Sequence, residues 1–135
     1  MNDAVDIARL SSQLGYPVDA EGVEEFLAQI ELDSDHSVFL AEHDAGSVLG
    51  WIHVFMTKRL FVAPFAEIGG LVVDKNSRGQ GVGHQLLDEA EKWAQLKGCS
   101  AMVIRSNVIR NRAHEFYVGT GYSVMKRQAV FHKAI

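Results

Sequence analysis

The stretch of this sequence with the clearest chemical potential is a glycine-rich loop, Arg78-Gly79-Gln80-Gly81-Val82-Gly83, followed by His84. Glycines at alternate positions let backbone N–H groups approach a ligand closely. The loop precedes a predicted helix, whose N-terminus carries a partial positive charge that favours anions. Arg78 adds a cation with a planar fork of donors. The loop therefore predicts a site for a phosphate or pyrophosphate.

The spacing of these glycines disfavours two familiar phosphate sites. A P-loop requires Lys and then Ser or Thr after its last glycine, whereas His84 follows Gly83. The Rossmann pattern Gly-x-Gly-x-x-Gly is absent because the third glycine comes one residue too early. Nor does the next predicted strand end in an acidic residue that would bind a ribose; it ends at Arg105.

The elements that must position the loop form an α/β or α+β pattern in one predicted domain of 135 residues. Two amphipathic helices are predicted first, over residues 3–14 and after an Asp19 N-cap. The remaining predicted elements are a hairpin over residues 38–56, a strand over 65–73, a helix over 82–97, a strand over 101–105, a helix over 112–118 capped by Asn111, and a last strand over 122–133. This order predicts a mixed sheet.

The loop resembles the Gln/Arg-x-x-Gly-x-Gly/Ala signature of the GNAT superfamily of acyl-CoA-dependent N-acetyltransferases. Further matching elements are the strand Ile68–Val73 and the later residues Asn111, Ala113, Phe116, Tyr117, Gly121 and Tyr122. The resemblance covers about residues 37–133 and implies a central, mixed, mostly antiparallel twisted sheet flanked by helices. The family normally opens with a strand, but only Met1 and Asn2 precede the first predicted helix. Either the sheet begins one strand short, leaving an edge that a partner in a homodimer would cover, or the sequence is truncated.

The same resemblance implies acetyl-CoA as cosubstrate. The amides of residues 79–84 would hold the CoA pyrophosphate, and the main chain of residues 71–73 would pair with the pantetheine like an added strand. We expect no metal, because the six histidines lack metal-ligand spacing. The expected cofactor contacts are Leu71, Val72, Val73, Arg78, Gly79, Gln80, Gly81, Val82, Gly83, His84, Asn111 and Phe116.

Acetyl transfer to an amine requires a general base, because an alkylammonium with a pKa near 10.4 is almost fully protonated at neutral pH. Glu67 lies in a predicted strand, where carboxylates are rarely placed for stability, and the period of two gives it a face shared with Gly69 and Leu71. Similarity to the histone acetyltransferase branch implies that Glu67 is the base; the alternative is a surface carboxylate at a fraying strand end. The resemblance also implies that Tyr117 lies beside the CoA sulfur as the acid; the alternative is a core aromatic residue.

The net charge of −4 argues against nucleic acid as a partner. A single cysteine, no signal peptide and no apolar run long enough to cross a bilayer predict a soluble, cytoplasmic protein that does not contact a membrane. We therefore expect an N-acetyltransferase that transfers acetyl from acetyl-CoA to a primary amine of a small molecule, peptide or protein by direct attack. The alternatives are a non-catalytic acyl-CoA-binding regulatory module and, more remotely, a nucleotide-binding domain of another fold.

Overall fold

A computed structural model describes residues 3–13, 15, 17–44, 46–105 and 111–135, except for the side chain of Asn111. The chain divides into two compact units, Met1–Ile104 and Arg105–Ile135, which are described separately below. The helices and strands are α1 Asp3–Gln13, α2 Ala20–Glu31, β1 His36–Glu42, β2 Val48–Arg59, β3 Val62–Val73, a 3₁₀ helix Lys75–Ser77, α3 Val82–Leu96, β4 Met102–Ile104 and α4 Asn111–Gly119.

The two N-terminal helices form as their sequence predicts. Asp19 is the N-cap of α2, and its side chain accepts a hydrogen bond of 2.8 Å from the backbone N–H of Gly22. Gly15 follows α1 with a φ of 92°, the left-handed conformation that glycine adopts most readily after a helix. Leu14, the predicted end of α1, is outside the described residues.

The first unit contains a four-stranded sheet in the order β1-β2-β3-β4. β1 pairs with β2 and β2 with β3 in antiparallel fashion, whereas β4 pairs with β3 in parallel. The predicted mixed, mostly antiparallel sheet is therefore confirmed. The β2–β3 hairpin is longer than predicted and includes Pro64. This proline lies where the register shifts between Thr57 and Arg59, the kind of irregularity that tolerates a residue without an N–H group.

Helices cover both faces of this sheet. On one face, Ile7 of α1 and Val23 of α2 belong to a cluster that packs against Leu40 and Trp51. The opposite face packs against α3, because a Cβ on Gly50 of β2 would lie 3.1 Å from Leu86 and 3.3 Å from Val82. The helices thus cover the two faces of the sheet, but not the edges formed by its outer strands.

The second unit contains α4 and a C-terminal tail, which we define as residues 122–135. Asn111, expected to cap this helix, is already its first residue. The predicted last strand over residues 122–133 is wrong, because the tail contains neither helix nor strand. A strand needs a partner to bond its backbone groups, and local β-propensity alone does not supply one. None of the helices in the described part of the chain is long and apolar enough to cross a membrane.

Candidate active site

The glycine-rich loop joins β3 and the 3₁₀ helix to α3. Gly79 and Gly81 have φ values of 80° and 81°, which other residues rarely adopt, and a Cβ at either would meet no atom within 4 Å. Gly81 is the N-cap of α3 and offers no side-chain hydrogen bond to the first turn, which also lacks acidic residues. The loop is therefore open, and the amides at the start of α3 are not capped by a side chain. Open space and uncapped amides at a helix N-terminus are features that suit an anion.

Helix α1 fixes the start of this loop through two contacts that the sequence did not reveal. Arg9 pairs with the Asp74 carboxylate at 3.1 Å and also donates to the carbonyl of Val48 at 3.2 Å. The backbone N–H of Lys75 donates to the side chain of Gln13 at 3.0 Å. Hydrogen bonds from the Asn76 N–H and from Arg9 lower the pKa of Asp74, so this anchor stays charged. The partners lie more than sixty residues apart, and no local pattern indicates them.

The edge of β3 that faces away from β2 is paired over only part of its length. In the described chain, β4 pairs with Ala66, Glu67 and Ile68 and does not extend along residues 69–73. The Asp74 N–H bonds to Leu49 of β2, so the alternation of an antiparallel ladder directs the backbone groups of Leu71 and Val73 away from β2. The backbone groups of Val72, by contrast, bond to β2. Leu71 and Val73 therefore present the main-chain groups suited to an added strand-like ligand.

Glu67 is a buried carboxylate in the middle of the sheet. It lies in β3 between Phe55 of β2 and Val103 of β4, and only 8% of its surface is exposed. The Thr57 hydroxyl donates a hydrogen bond of 2.7 Å to Glu67 Oε2. The alternative of a surface carboxylate at a fraying strand end is therefore wrong. Thr57 was not recognised from the sequence, although the period of two places it on the Glu67 side of the neighbouring strand.

A β-bulge at Gly69 changes which residues share the Glu67 face. His53 pairs with Gly70, but the next residue of β2 pairs with Ile68, so Gly69 is the extra residue. Leu71 pairs with Ile52 and thus lies on the face opposite that of Glu67 and its partner Phe55. The prediction that Glu67 and Leu71 share a face is wrong, because the bulge interrupts the two-residue period. Nor is the space beside Gly69 free: a Cβ there would lie 2.3 Å from His53 Nδ1.

Two histidines lie on the same face of the sheet as Glu67. His36 Nδ1 and His53 Nε2 are 3.0 Å apart, and the Phe26 and Phe55 rings contact the His53 ring. Burial, and secondarily the neighbouring His36, lower the pKa of His53 to about 4. His53 is therefore neutral at pH 7 and can accept or donate a hydrogen bond without charge. In the described chain, no group of three or more His, Cys, Asp or Glu side chains could hold a metal ion.

The other predicted site residues are distributed over both units. In the first unit, Arg78, Gln80 and His84 are exposed around the loop. In the second, Tyr117 lies on α4, with its ring 5.3 Å from that of Phe116 and 6.2 Å from that of Tyr122. The side chain of Asn111, another predicted cofactor contact, is outside the described residues.

Comparisons with known proteins give the family and the fold of this chain. The sequence model of the Acetyltransferase (GNAT) family matches residues 3–122. An aminoalkylphosphonate N-acetyltransferase of Salmonella typhimurium is 40% identical over 78 residues, which cover 57% of this chain and 51% of that protein. The chain thus aligns with about half the length of that relative. An aminoglycoside N(6')-acetyltransferase type 1 of Stenotrophomonas maltophilia is 29% identical over 96% of this chain and 86% of its own.

A solved structure shows the same fold. The aminoglycoside 6'-N-acetyltransferase of Acinetobacter baumannii superposes with a TM-score of 0.85 at 18% identity, covering 100% of this chain and 95% of the other. The family indicated by the glycine-rich loop is therefore confirmed. By its sequence match and its fold, this chain belongs to the GNAT acetyltransferase family.

Proposed function

We propose that this protein transfers an acetyl group from acetyl-CoA to a primary amine. The observation that carries the proposal is the buried Glu67 carboxylate, held by Thr57 on the strand whose later residues lead into the open glycine-rich loop. A carboxylate is rarely buried in a central strand for stability alone. One strand thus combines a candidate proton acceptor with the main-chain groups and loop that suit the acetyl donor.

The loop and strand edge fit the parts of CoA that they would bind. The open space at Gly79 and Gly81 and the uncapped start of α3 suit a pyrophosphate, and Arg78 supplies the cation beside it. The outward backbone groups of Leu71 and Val73 suit the amides of a pantetheine chain. We assign further cofactor contacts to Asn111 and Phe116 on the family resemblance alone.

Glu67 has the central role in the proposed mechanism. It accepts a proton from the ammonium of the acceptor, directly or through one water, so that the neutral amine attacks the thioester carbonyl. A new C–N bond forms and the C–S bond breaks. Tyr117 donates a proton to the leaving sulfur, a smaller contribution because a thiolate with a pKa near 8.5 is already a good leaving group.

We propose a small-molecule amine as the acceptor. The two relatives are named for aminoalkylphosphonate and aminoglycoside substrates, both of which carry amines. Acidic residues of α2 and the following loop, such as Glu24, Glu31 and Asp33, would attract a cationic acceptor. A basic peptide is the competing acceptor class. We propose the cytoplasm as the location, where a reducing environment suits the free, buried Cys99.

The test is a thiol-release assay with acetyl-CoA and a panel of aminoglycosides, aminoalkylphosphonates, polyamines and basic peptides. We expect turnover with a small amine, and a loss of about 10²- to 10⁴-fold in kcat/KM for Glu67→Gln, the usual contribution of a general base. Tyr117→Phe should cost less. The exposed Glu89→Gln is the matched control, and calorimetry should show that all three variants bind CoA normally.

Two results would contradict the proposal. Full activity of Glu67→Gln would remove this residue from the mechanism. Binding of acetyl-CoA without thiol release for any amine of the panel would favour the alternative of a non-catalytic acyl-CoA-binding regulatory module.

A further inference from the structure

The face of the sheet that carries Glu67 continues along the β2–β3 hairpin. Thr57, whose hydroxyl donates to Glu67, pairs with Phe65 of β3. Arg59 follows Thr57 by two positions in β2, so the two-residue period gives both side chains the same face. The Arg59 guanidinium lies over the Phe65 ring, 5.6 Å from its centroid, in agreement with that face. A cation is therefore next in the row that contains the candidate proton acceptor.

The charge of Arg59 is not neutralised by a neighbouring carboxylate. Arg59 is exposed, and among the residues that the structure describes it forms no ion pair. Contact with an aromatic face holds a guanidinium without engaging its N–H donors. The neighbouring Lys58 belongs to the opposite face by the same period, and it pairs with Asp35 at 3.5 Å. Arg59 thus offers a positioned fork of donors, whereas Lys58 already has a partner.

The hairpin also fixes the backbone of Arg59. Arg59 pairs with Val62, so only Leu60 and Phe61 connect the two strands. Phe61 has a φ of 71°, a conformation that is costly for a bulky residue. Such a residue persists where the surrounding structure determines its conformation. The short connection therefore keeps Arg59 within the strand ladder rather than in a long loop.

We propose that Arg59 determines acceptor specificity by binding an oxyanion of the molecule whose amine reacts beside Glu67. The acceptor class, which rests on the proposed function, is thereby narrowed to amines that also carry a phosphonate, phosphate, sulfonate or carboxylate group. A guanidinium binds such oxyanions through two parallel hydrogen bonds. A polycationic acceptor would instead meet a like charge at Arg59.

The spacing of the row suits a small acceptor. The Thr57 hydroxyl contacts the Glu67 carboxylate, and the two strand positions from Thr57 to Arg59 span about 7 Å. A molecule with only a few bonds between its amine and its oxyanion can therefore reach both Glu67 and Arg59. The ammonium then lies at the carboxylate that accepts its proton, and the oxyanion lies at the guanidinium.

Thiol release with four acceptors of similar length tests this preference: aminoethylphosphonate, aminoethylsulfonate, β-alanine and ethanolamine. In Arg59→Gln we expect the ratio of kcat/KM for aminoethylphosphonate to that for ethanolamine to fall about 10- to 100-fold, as for charge-assisted hydrogen bonds. The ratios for the sulfonate and for β-alanine should also fall, and the wild-type order of the three anions identifies the preferred oxyanion. Arg59→Lys should retain part of the ratio, because lysine keeps the charge but not the fork. Lys58→Gln is the matched control and should keep the wild-type ratio.

Phe65 is assigned a positioning role, because its ring holds the guanidinium. Phe65→Leu should raise KM for aminoethylphosphonate about twofold to fivefold with kcat retained, the size expected for an exposed cation–π contact. KM for ethanolamine should not rise in the same way. Phe65→Tyr, which keeps an aromatic face, should restore the wild-type KM for aminoethylphosphonate.

Calorimetry of aminoethylphosphonate with the CoA-saturated protein separates this specificity from acetyl transfer itself. Turnover of ethanolamine with the same preference ratio in Arg59→Gln as in the wild type would overturn the assignment of Arg59 and leave the proposed function standing. Equal binding of aminoethylphosphonate to both proteins, or binding to neither, would also overturn it. Binding that Arg59→Gln abolishes, without thiol release for any acceptor, would support the oxyanion site and contradict the proposed function.

Discussion

Replacing His53 by Phe should make the stability of this protein less dependent on pH. In the folded chain, burial and the neighbouring His36 lower the pKa of His53 to about 4 from the ordinary 6.5. An unfolded chain therefore binds a proton at this histidine at a higher pH than the folded chain does. The contribution of His53 to the free energy of unfolding therefore falls as the pH is lowered from 6.5 to 4. Below pH 4 this contribution of His53 stays constant, because both the folded and the unfolded chain then carry the proton.

The size of the effect follows from the two pKa values. At pH 5 the full shift corresponds to about 2 kcal/mol of lost stability relative to neutral pH. The His53 ring is only partly buried, so water screens its charge, and we expect about 1–2 kcal/mol. Phenylalanine keeps the aromatic contacts with Phe26 and Phe55 but cannot bind a proton.

Urea unfolding at pH 7.5 and pH 5 provides the measurement. The stability difference between the two pH values should be about 1–2 kcal/mol smaller in His53→Phe than in the wild type. His132→Gln, a change at an exposed histidine of the tail, should leave that difference as it is in the wild type. If His53→Phe and the wild type lose equal stability on acidification, the low pKa assigned to His53 is wrong.

Three further substitutions test the site. Gly81→Asp places negative charge beside the proposed pyrophosphate site and should weaken CoA binding, measured by calorimetry, about tenfold or more relative to Gly81→Asn. The asparagine variant is the control because its side chain has the same shape and also tolerates the positive φ of this position. Thr57→Val removes the hydroxyl that donates to Glu67 and should lower kcat/KM about tenfold to a hundredfold with CoA affinity unchanged, whereas Thr57→Ser should retain most activity. Gly69→Ala should lower the free energy of unfolding by about 1–3 kcal/mol, because the added methyl group clashes with His53. The loss should be smaller when His53 is also replaced by Ala, and an equal loss with and without His53 would refute that contact.

Local patterns in the sequence predicted most of the fold. The Asp19 cap, the glycine after α1 and the change from helical to alternating periodicity each act over a few residues, and each prediction is confirmed by the structure. The last strand could not be predicted in this way. Strand propensity over residues 122–133 reports side chains that suit a sheet, but the strand itself requires a partner backbone.

The site was predictable where its chemistry is local and not where it depends on long-range contacts. Glu67 and the loop glycines are unusual residue types for their positions, and the sequence indicates them directly. Arg9 and Gln13, by contrast, occupy ordinary positions of a helix. They contact Asp74 and Lys75, which lie far from them in the sequence. The bulge at Gly69 was also missed, because a register shift depends on the pairing of two strands.

The extra residue at Gly69 changes what the spacing of Glu67 and Leu71 implies about the sides of the sheet from which they project. Deleting it would leave the two residues three positions apart on an uninterrupted strand, and their side chains would still project from opposite sides of the sheet. A relative that keeps the four-residue spacing but pairs this segment without a bulge would instead place both side chains on the same side. In alignments across this short segment, residue spacing alone therefore does not give the orientation of the acid, since a bulge absorbs one residue of the count.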